Sequence, residues 1–186
     1  MSASSKREAR KAQTAEDFTP PSLVNEMLDK LAKYGSGAWN PGKTFLDPAC
    51  GNGNMLVEVL KRKLSLGHDP SQALSTIYGC DIMRDNIREC RLRLLKVLRD
   101  SGTAITLDHI KTVFNQVVLT SLDRYENGSL DYDFSFTNKA SGKDLDRWLE
   151  GIEKEGWLDD PSRASKSMDQ IDSSLDDAVP DDLMGV

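Results

Sequence analysis

Short apolar runs alternate with amphipathic helical segments along this chain, and this alternation restricts the fold more than any other feature of the sequence. Residues 44–47, 75–81 and 117–119 have the length and apolar character of buried strands. Apolar side chains recur at three- and four-residue spacing over residues 55–64 and 85–99, which predicts a helix after each of the first two strands. Strands joined by helical crossovers run parallel, with right-handed connections. We therefore expect an α/β fold with a doubly wound, mostly parallel sheet.

Further elements flank this unit. Pro20 and Pro21 can only open a helix, and apolar spacing extends that helix to about Tyr34. A fourth strand is predicted at residues 132–136 and a final helix at residues 145–157. The fourth strand would lie at an open edge of the sheet, which proteins normally cover. We expect the final helix or another chain to cover it.

The charge distribution separates the body of the chain from an acidic end. Residues 143–186 contain 13 acidic and 5 basic residues, so the remaining 142 residues carry a net charge of +2 although the whole chain carries −6. The acidic total therefore does not exclude a nucleic-acid partner. We expect a flexible N-terminus over residues 1–16, one folded domain over residues 17–158 and a disordered acidic tail over residues 159–186.

Composition disfavours several classes of protein. No window approaches the roughly 18 apolar residues of a membrane span, and the basic residues 1–11 lead into no apolar segment, so we expect neither a membrane helix nor a secretory signal. The three cysteines, Cys50, Cys80 and Cys90, form an odd and sparse set that favours a reducing compartment and predicts a cytoplasmic location. No histidine or cysteine spacing is typical of a metal site, so no metal is predicted.

The segment between the first strand and the next helix has the character of a ligand-binding loop, Asp47-Pro48-Ala49-Cys50-Gly51-Asn52-Gly53. Glycines permit a tight turn and close approach to a ligand, and such sheets bind ligands at the carboxyl ends of their strands. A plain turn between strand and helix is the alternative. Asp81 ends the next strand, where a carboxylate can accept both hydroxyls of a ribose. The alternative for Asp81 is that it caps the helix that begins near Arg84.

Residues 17–95 resemble the cofactor-binding half of the gamma-type adenine-N6 DNA methyltransferases, particularly the phage- and virus-like ones. Three segments match in order: Phe18-Thr19-Pro20, the loop from Asp47 to Gly53, and Gly79-Cys80-Asp81-Ile82. The resemblance implies a class I methyltransferase fold, minimal or incomplete in a chain of this length, that binds S-adenosylmethionine (SAM). It also implies a phage- or virus-encoded protein that acts in the host cytoplasm.

The same resemblance implies roles for individual residues. Phe18 and Thr19 would contact the methionine moiety of SAM, next to Pro20. Asp47 and the loop through Pro48, Ala49, Cys50, Gly51, Asn52 and Gly53 would surround the methionine and the sulfonium. Asp81, followed by Ile82, would hold the ribose.

Asn138 is the candidate catalytic residue. After the fourth strand this family has Asn or Asp, two prolines and an aromatic residue, which accept the two hydrogens of the adenine amine and stack on the flipped-out base. This chain has Asn138-Lys139-Ala140-Ser141, without the prolines and the aromatic, and the ammonium of Lys139 would repel the sulfonium of SAM. Stacking would then fall to Tyr125, Tyr132 or Trp148.

Two functions are compatible with this altered catalytic motif. The first is a DNA methyltransferase that uses Asn138. The second is a catalytically inactive methyltransferase-like module that binds or regulates a protein partner, through the open sheet edge or the acidic tail.

Two further features have competing interpretations. The basic face of the helix over residues 85–99 could contact DNA phosphates, or it could be a solvated outer face paired with Asp85 and Glu89. The second is favoured because no aromatic residue interleaves the arginines. Cys50 could be reactive at a helix start, but without a nearby histidine a packing role is favoured.

Overall fold

The computed structural model describes residues 19–35, 37–119 and 142–157, all of which belong to one compact unit. Six helices and three strands are found in this part of the chain. In order they are α1 (Pro21–Tyr34), β1 (Phe45–Asp47), α2 (Asn54–Ser65), α3 (Pro70–Ser75), β2 (Ile77–Asp81), α4 (Arg84–Asp100), α5 (Leu107–Gln116), β3 (Val117–Leu119) and α6 (Gly142–Lys154).

The three strands form a parallel sheet in the order β1-β2-β3. Asp47 at the end of β1 pairs with Gly79, and Asp81 at the end of β2 pairs with Leu119. The carboxyl ends of all three strands therefore lie at the same edge of the sheet. This arrangement confirms the predicted α/β fold with a parallel sheet and is compatible with a minimal methyltransferase-like fold.

The core lies where α2 and α4 pack on each other and on β2. Leu56 and Leu60 of α2 and Leu94, Leu95 and Leu98 of α4 are almost completely buried. These leucines belong to the apolar patterns from which the two helices were predicted. Burying such a side chain stabilises a fold by about 1.5–3 kcal/mol. Helix α1 opens at Pro21 as predicted, and it buries Val24 and Leu28.

Two helices were not predicted from the sequence. Helix α3 is a short helix whose first turn is capped by Asp69, which accepts a hydrogen bond from the Gln72 N–H at 2.8 Å. As a result Ser75 ends a helix, and β2 begins two residues later than expected. Helix α5 begins with a capping box in which Thr106 and His109 exchange hydrogen bonds between side chain and backbone. His109 thus has a structural role.

The basic face of α4 is solvated at Arg84 but not at Arg91, so the favoured interpretation of a solvated outer face is wrong for Arg91. Arg91 donates to the carbonyls of Val117 (2.9 Å) and Phe114 (3.1 Å). Its guanidinium lies over the rings of Phe114 and Trp148, at 4.5 and 5.3 Å from their centroids. Burial lowers the pKa of Arg91 to about 10. The aromatic partners of this helix come from other elements, which a search for aromatics within the helix cannot find.

Helix α6 confirms most of the predicted helix at residues 145–157. It packs on α5, and beyond it Glu155 pairs with Arg88. Arg99 donates to the carbonyl of Trp157 at 2.9 Å and lies over its ring. These contacts join α6 and the residues after it to α4 and α5.

Several predictions lie outside the described residues. They are the flexible N-terminus, Phe18, the fourth strand, Tyr125, Tyr132, Asn138, Lys139 and the acidic tail. In the ranges that are described, no helix has both the length and the apolar character needed to cross a bilayer.

Candidate cofactor-binding site

Two carboxylates stand at the carboxyl edge of the sheet, Asp47 after β1 and Asp81 after β2. Both side chains are half-buried. Asp47 accepts a hydrogen bond from the Ala49 N–H at 3.1 Å. Burial raises the pKa of Asp47, and the nearby negative charge of Asp81 raises it further, against the lowering effect of the Ala49 N–H. The site is thus built around concentrated negative charge, which suits a ligand that brings cationic or hydroxyl groups.

The loop after β1 is held against β2. The Cys50 N–H donates to the carbonyl of Cys80 at 2.9 Å, and the Gly51 N–H donates to Oδ2 of Asp81 at 2.9 Å. Gly53 has a left-handed backbone with φ of +87°, and a Cβ there would lie 2.5 Å from Sγ of Cys90. Glycine is therefore required at position 53 by both conformation and space.

The other oxygen of Asp81 shapes the turn into α4. Oδ1 accepts from the Met83 N–H at 2.8 Å and from Nδ2 of Asn86 at 3.4 Å. The N-cap of α4 is Met83, which makes no side-chain cap bond. Asp81 therefore holds the turn before the helix through the Met83 N–H, and it is not itself the N-cap residue. A carboxylate has about four acceptor positions. With three bonds to described residues, Asp81 has an acceptor position left for a further donor.

Asn52 adds a buried acceptor to the loop. Its Nδ2 donates to Oε1 of Glu89 at 3.0 Å, whereas its Oδ1 is buried and has no hydrogen-bond partner within the described ranges. A buried acceptor without a donor costs about 1–3 kcal/mol. A buried, unpaired amide oxygen in the same loop fits a ligand rich in donors, such as the ammonium and ribose groups of SAM.

The remaining predicted residues lie around this centre. The carbonyl of Thr19 accepts from Nδ2 of Asn54 at 2.9 Å, which joins the segment before α1 to the end of the loop. Pro20 is the N-cap of α1. The carbonyl of Pro48 accepts from Sγ of Cys80 at 3.2 Å, and the side chain of Ile82 is exposed after β2. The structure thus brings together the described parts of all three matching segments.

Cys50, within the loop, is buried. Its hydrogen bond with Cys90, together with burial and the charges of Asp47 and Asp81, raises the pKa of the thiol well above its usual range. A raised pKa disfavours the nucleophilic thiolate, which agrees with a packing role. The parts of the chain that the structure describes contain no group of three or more His, Cys, Asp or Glu residues that could hold a metal ion.

Three residues at this site were missed from the sequence: Asn54, Glu89 and Arg93. Arg93 donates from one nitrogen to the carbonyl of Asn52 at 2.8 Å and to Oδ1 of Asn54 at 2.7 Å. The available signal was the basic face of α4, but its spacing gives no indication that one arginine reaches the loop.

Comparisons with known proteins address the family of the chain. Neither the curated proteins nor the solved structures include one that matches it. The N-6 DNA methylase family model matches residues 5–119, more than half of the chain. The match covers all three segments discussed above and ends with the last residue of β3. The resemblance to adenine-N6 DNA methyltransferases is confirmed, and the chain belongs to the N-6 DNA methylase family.

Proposed function

We propose that this chain binds SAM at the carboxyl edge of its sheet and provides the cofactor site of an adenine-N6 DNA methyltransferase. The observation that carries the proposal is the hydrogen bond from Gly51 to Asp81. It joins the loop after β1 and the acid after β2 into one site, in a chain of the N-6 DNA methylase family. A parallel sheet binds ligands at this edge.

The residues present suit the different parts of SAM. Asp81 would accept hydroxyls of the ribose. Asp47 would favour the cationic groups of the methionine part, because opposite charges attract strongly in a half-buried site. The buried Oδ1 of Asn52 would accept from one of the donor groups, and Phe18 and Thr19 would flank the methionine part as the resemblance implies. When bound, SAM supplies an electrophilic methyl group on a positively charged sulfur.

Asn138 would act on the substrate base. Its amide oxygen can accept a hydrogen from the exocyclic amine of adenine, which concentrates the nitrogen lone pair for attack. DNA is the substrate that family membership supports, with the target base extruded from the duplex.

The second candidate function is an inactive module that binds SAM and serves a protein partner. The observation that favours it is the sequence Asn138-Lys139-Ala140-Ser141, which lacks both prolines and the aromatic residue of the family motif. Both candidates require the same cofactor site, so they differ only in methyl transfer.

Two measurements test these proposals. Calorimetry with SAM and with S-adenosylhomocysteine should give heat of binding, and absence of heat at millimolar ligand would contradict the cofactor proposal. Transfer of a labelled methyl group to unmodified DNA should be compared for the wild type and Asn138→Ala. Incorporation that Asn138→Ala abolishes supports the enzyme. Binding without any incorporation supports the inactive module.

A further inference from the structure

Three hydrogen bonds connect α4 to the segment before α1. They run through Asn52, near the end of the glycine loop (residues 47–53), and through Asn54, the first residue of α2. Nη1 of Arg93 donates to the carbonyl of Asn52 at 2.8 Å and to Oδ1 of Asn54 at 2.7 Å. Nδ2 of Asn54 then donates to the carbonyl of Thr19 at 2.9 Å. The first residue of α2 thus stands between an arginine and a backbone carbonyl that lies 35 residues earlier in the chain.

The two partners fix the orientation of the Asn54 amide. A guanidinium can only donate and a backbone carbonyl can only accept, so the oxygen must face Arg93 and the nitrogen must face Thr19. An aspartate at this position would keep the acceptor for Arg93 but would place an oxygen against the carbonyl of Thr19. The bond to Thr19 therefore depends on the amide of an asparagine.

Arg93 is positioned for this contact by the same helix that supports the loop. Its neighbour on α4, Glu89, accepts from Asn52, so two successive turns of α4 contact the loop. Arg93 also lies near Glu58. Burial raises the pKa of Glu58, but hydrogen bonds from Lys61 and Asn25 and the charges of Lys61 and Arg93 lower it overall. Oε2 of Glu58 accepts from Asn25 of α1 at 2.9 Å. A lysine would keep the positive charge at position 93 but has a compact ammonium in place of the planar guanidinium.

In the described part of the chain, the backbone of Thr19 and Pro20 makes few other hydrogen bonds, although α1, which follows, packs on α2. Pro20 has no N–H to donate, and its carbonyl accepts the first bond of α1, from Val24 at 3.0 Å. The Asn54 amide is partly exposed, and the contact lies outside the apolar core. Losing it should therefore displace the segment more than it destabilises the fold.

We propose that Arg93 and Asn54 are positioning residues for the cofactor site, which hold the Thr19–Pro20 segment against the glycine loop and thereby set the affinity for SAM. This inference rests on the proposed SAM site. Neither side chain is assigned a contact with the cofactor. Arg93 acts through Asn54 and the carbonyl of Asn52, and Asn54 acts through the backbone of Thr19.

The test uses Asn54→Asp and Arg93→Lys. Lys96→Gln is the matched control, because Lys96 lies on the same helix and its ion pair among the described residues is with Asp100, at 3.0 Å. Calorimetry should show SAM binding roughly tenfold weaker for Asn54→Asp, and weaker for Arg93→Lys, as expected for loss of one or two hydrogen bonds. The double variant should be little worse than the single ones, because both interrupt one network. Lys96→Gln should bind as the wild type does.

Amide hydrogen exchange in the ligand-free protein gives the second readout. Asn54→Asp should speed exchange over residues 19–27, while exchange in β2 and in the middle of α4 stays as in the wild type. Faster exchange together with weaker SAM binding supports the inference. Unchanged exchange, or faster exchange with unchanged affinity, overturns it.

The two readouts also separate this inference from the function on which it rests. If the wild type binds no SAM, the proposed function fails, and the exchange experiment still decides whether the network holds the segment. If the wild type binds SAM and Asn54→Asp binds it equally well, the cofactor site stands and the positioning role is refuted.

Discussion

The backbone N–H of Gly51 donates to Oδ2 of Asp81 at 2.9 Å, so the residue that ends β2 holds the loop that follows β1. The N–H of Met83 approaches the other oxygen of the same carboxylate, at 2.8 Å. An asparagine at position 81 has only one acceptor oxygen and cannot satisfy both amides in these positions.

Asp81→Asn should therefore weaken both the loop and the cofactor site. We expect the free energy of unfolding to fall by about 1–2 kcal/mol and the Kd for SAM to rise by at least roughly tenfold. Urea unfolding and calorimetry measure the two effects. Asp100→Asn, an exposed substitution at the end of α4, should leave the Kd unchanged. Wild-type affinity in Asp81→Asn would contradict the assignment of Asp81 to the ribose.

Asp47 should make folding less favourable as its carboxyl group ionises. Burial raises the pKa of Asp47 in the folded chain above the ordinary value of 3.8, so the folded state binds this proton more tightly than the unfolded state does. The free energy of unfolding should therefore drop, relative to Asp47→Asn, as pH rises from 3.8 through the raised pKa. Urea unfolding of both proteins across that range measures the difference.

At neutral pH Asp47→Asn should be more stable than the wild type and should bind SAM more weakly. That opposition is expected of a residue retained for binding at a cost in stability. Loss of both stability and affinity would show instead that the charge of Asp47 supports the fold.

Lys63 should clamp the amino ends of the strands without affecting the cofactor site. Its side chain is completely buried, and its Nζ donates to Oγ1 of Thr76 at 2.6 Å and to the carbonyl of Lys43 at 2.7 Å. Lys63→Met leaves the carbonyl of Lys43 without this donor and should lower the free energy of unfolding by about 1–3 kcal/mol. The Kd for SAM should stay unchanged, because the site lies at the opposite ends of β1 and β2.

The contribution of Lys63 to the free energy of unfolding should increase with pH. Burial lowers the pKa of Lys63 in the folded chain below 10.5, so the unfolded chain binds the proton more tightly. Wild-type stability relative to Lys63→Met should rise with pH between the lowered pKa and 10.5. A difference that falls over this interval would contradict the assignment.

Arg91→Lys should destabilise the domain by about 2–3 kcal/mol, because an ammonium cannot reproduce both carbonyl bonds and the flat contacts with two rings. Arg84→Lys makes the same chemical change at the exposed start of α4 and should cost almost nothing. Thermal unfolding of the two variants gives the comparison. Equal stability would show that the buried guanidinium contributes no more than a surface cation.

The sequence predicted the parts of the fold whose causes are local. Apolar spacing is a property of one segment, so α1, α2 and α4 could be predicted, and the parallel pairing of β1 with β2 follows from the helical connection between them. The juxtaposition of Asp47, Gly51 and Asp81 could be predicted for the same reason. Helix α5 could not, because its capping box uses His109 in place of the usual Glu or Gln.

The rest depends on contacts between distant segments. The surroundings of Arg91 are set by Trp148, 57 residues away in the sequence, and no periodicity within α4 indicates that ring. The link from Arg93 through Asn54 to Thr19 likewise joins three segments whose proximity appears only in the folded chain. A basic face on a helix predicts charge, but not whether the charge is used within the protein.

The anchoring of Arg91 couples β3 to α6. This guanidinium binds the carbonyl of Val117, the first residue of β3, and lies on the ring of Trp148 in α6. One guanidinium therefore joins the first residue of β3 to the middle of α6. Losing it should loosen both elements together, because a single side chain holds each of them through a different contact.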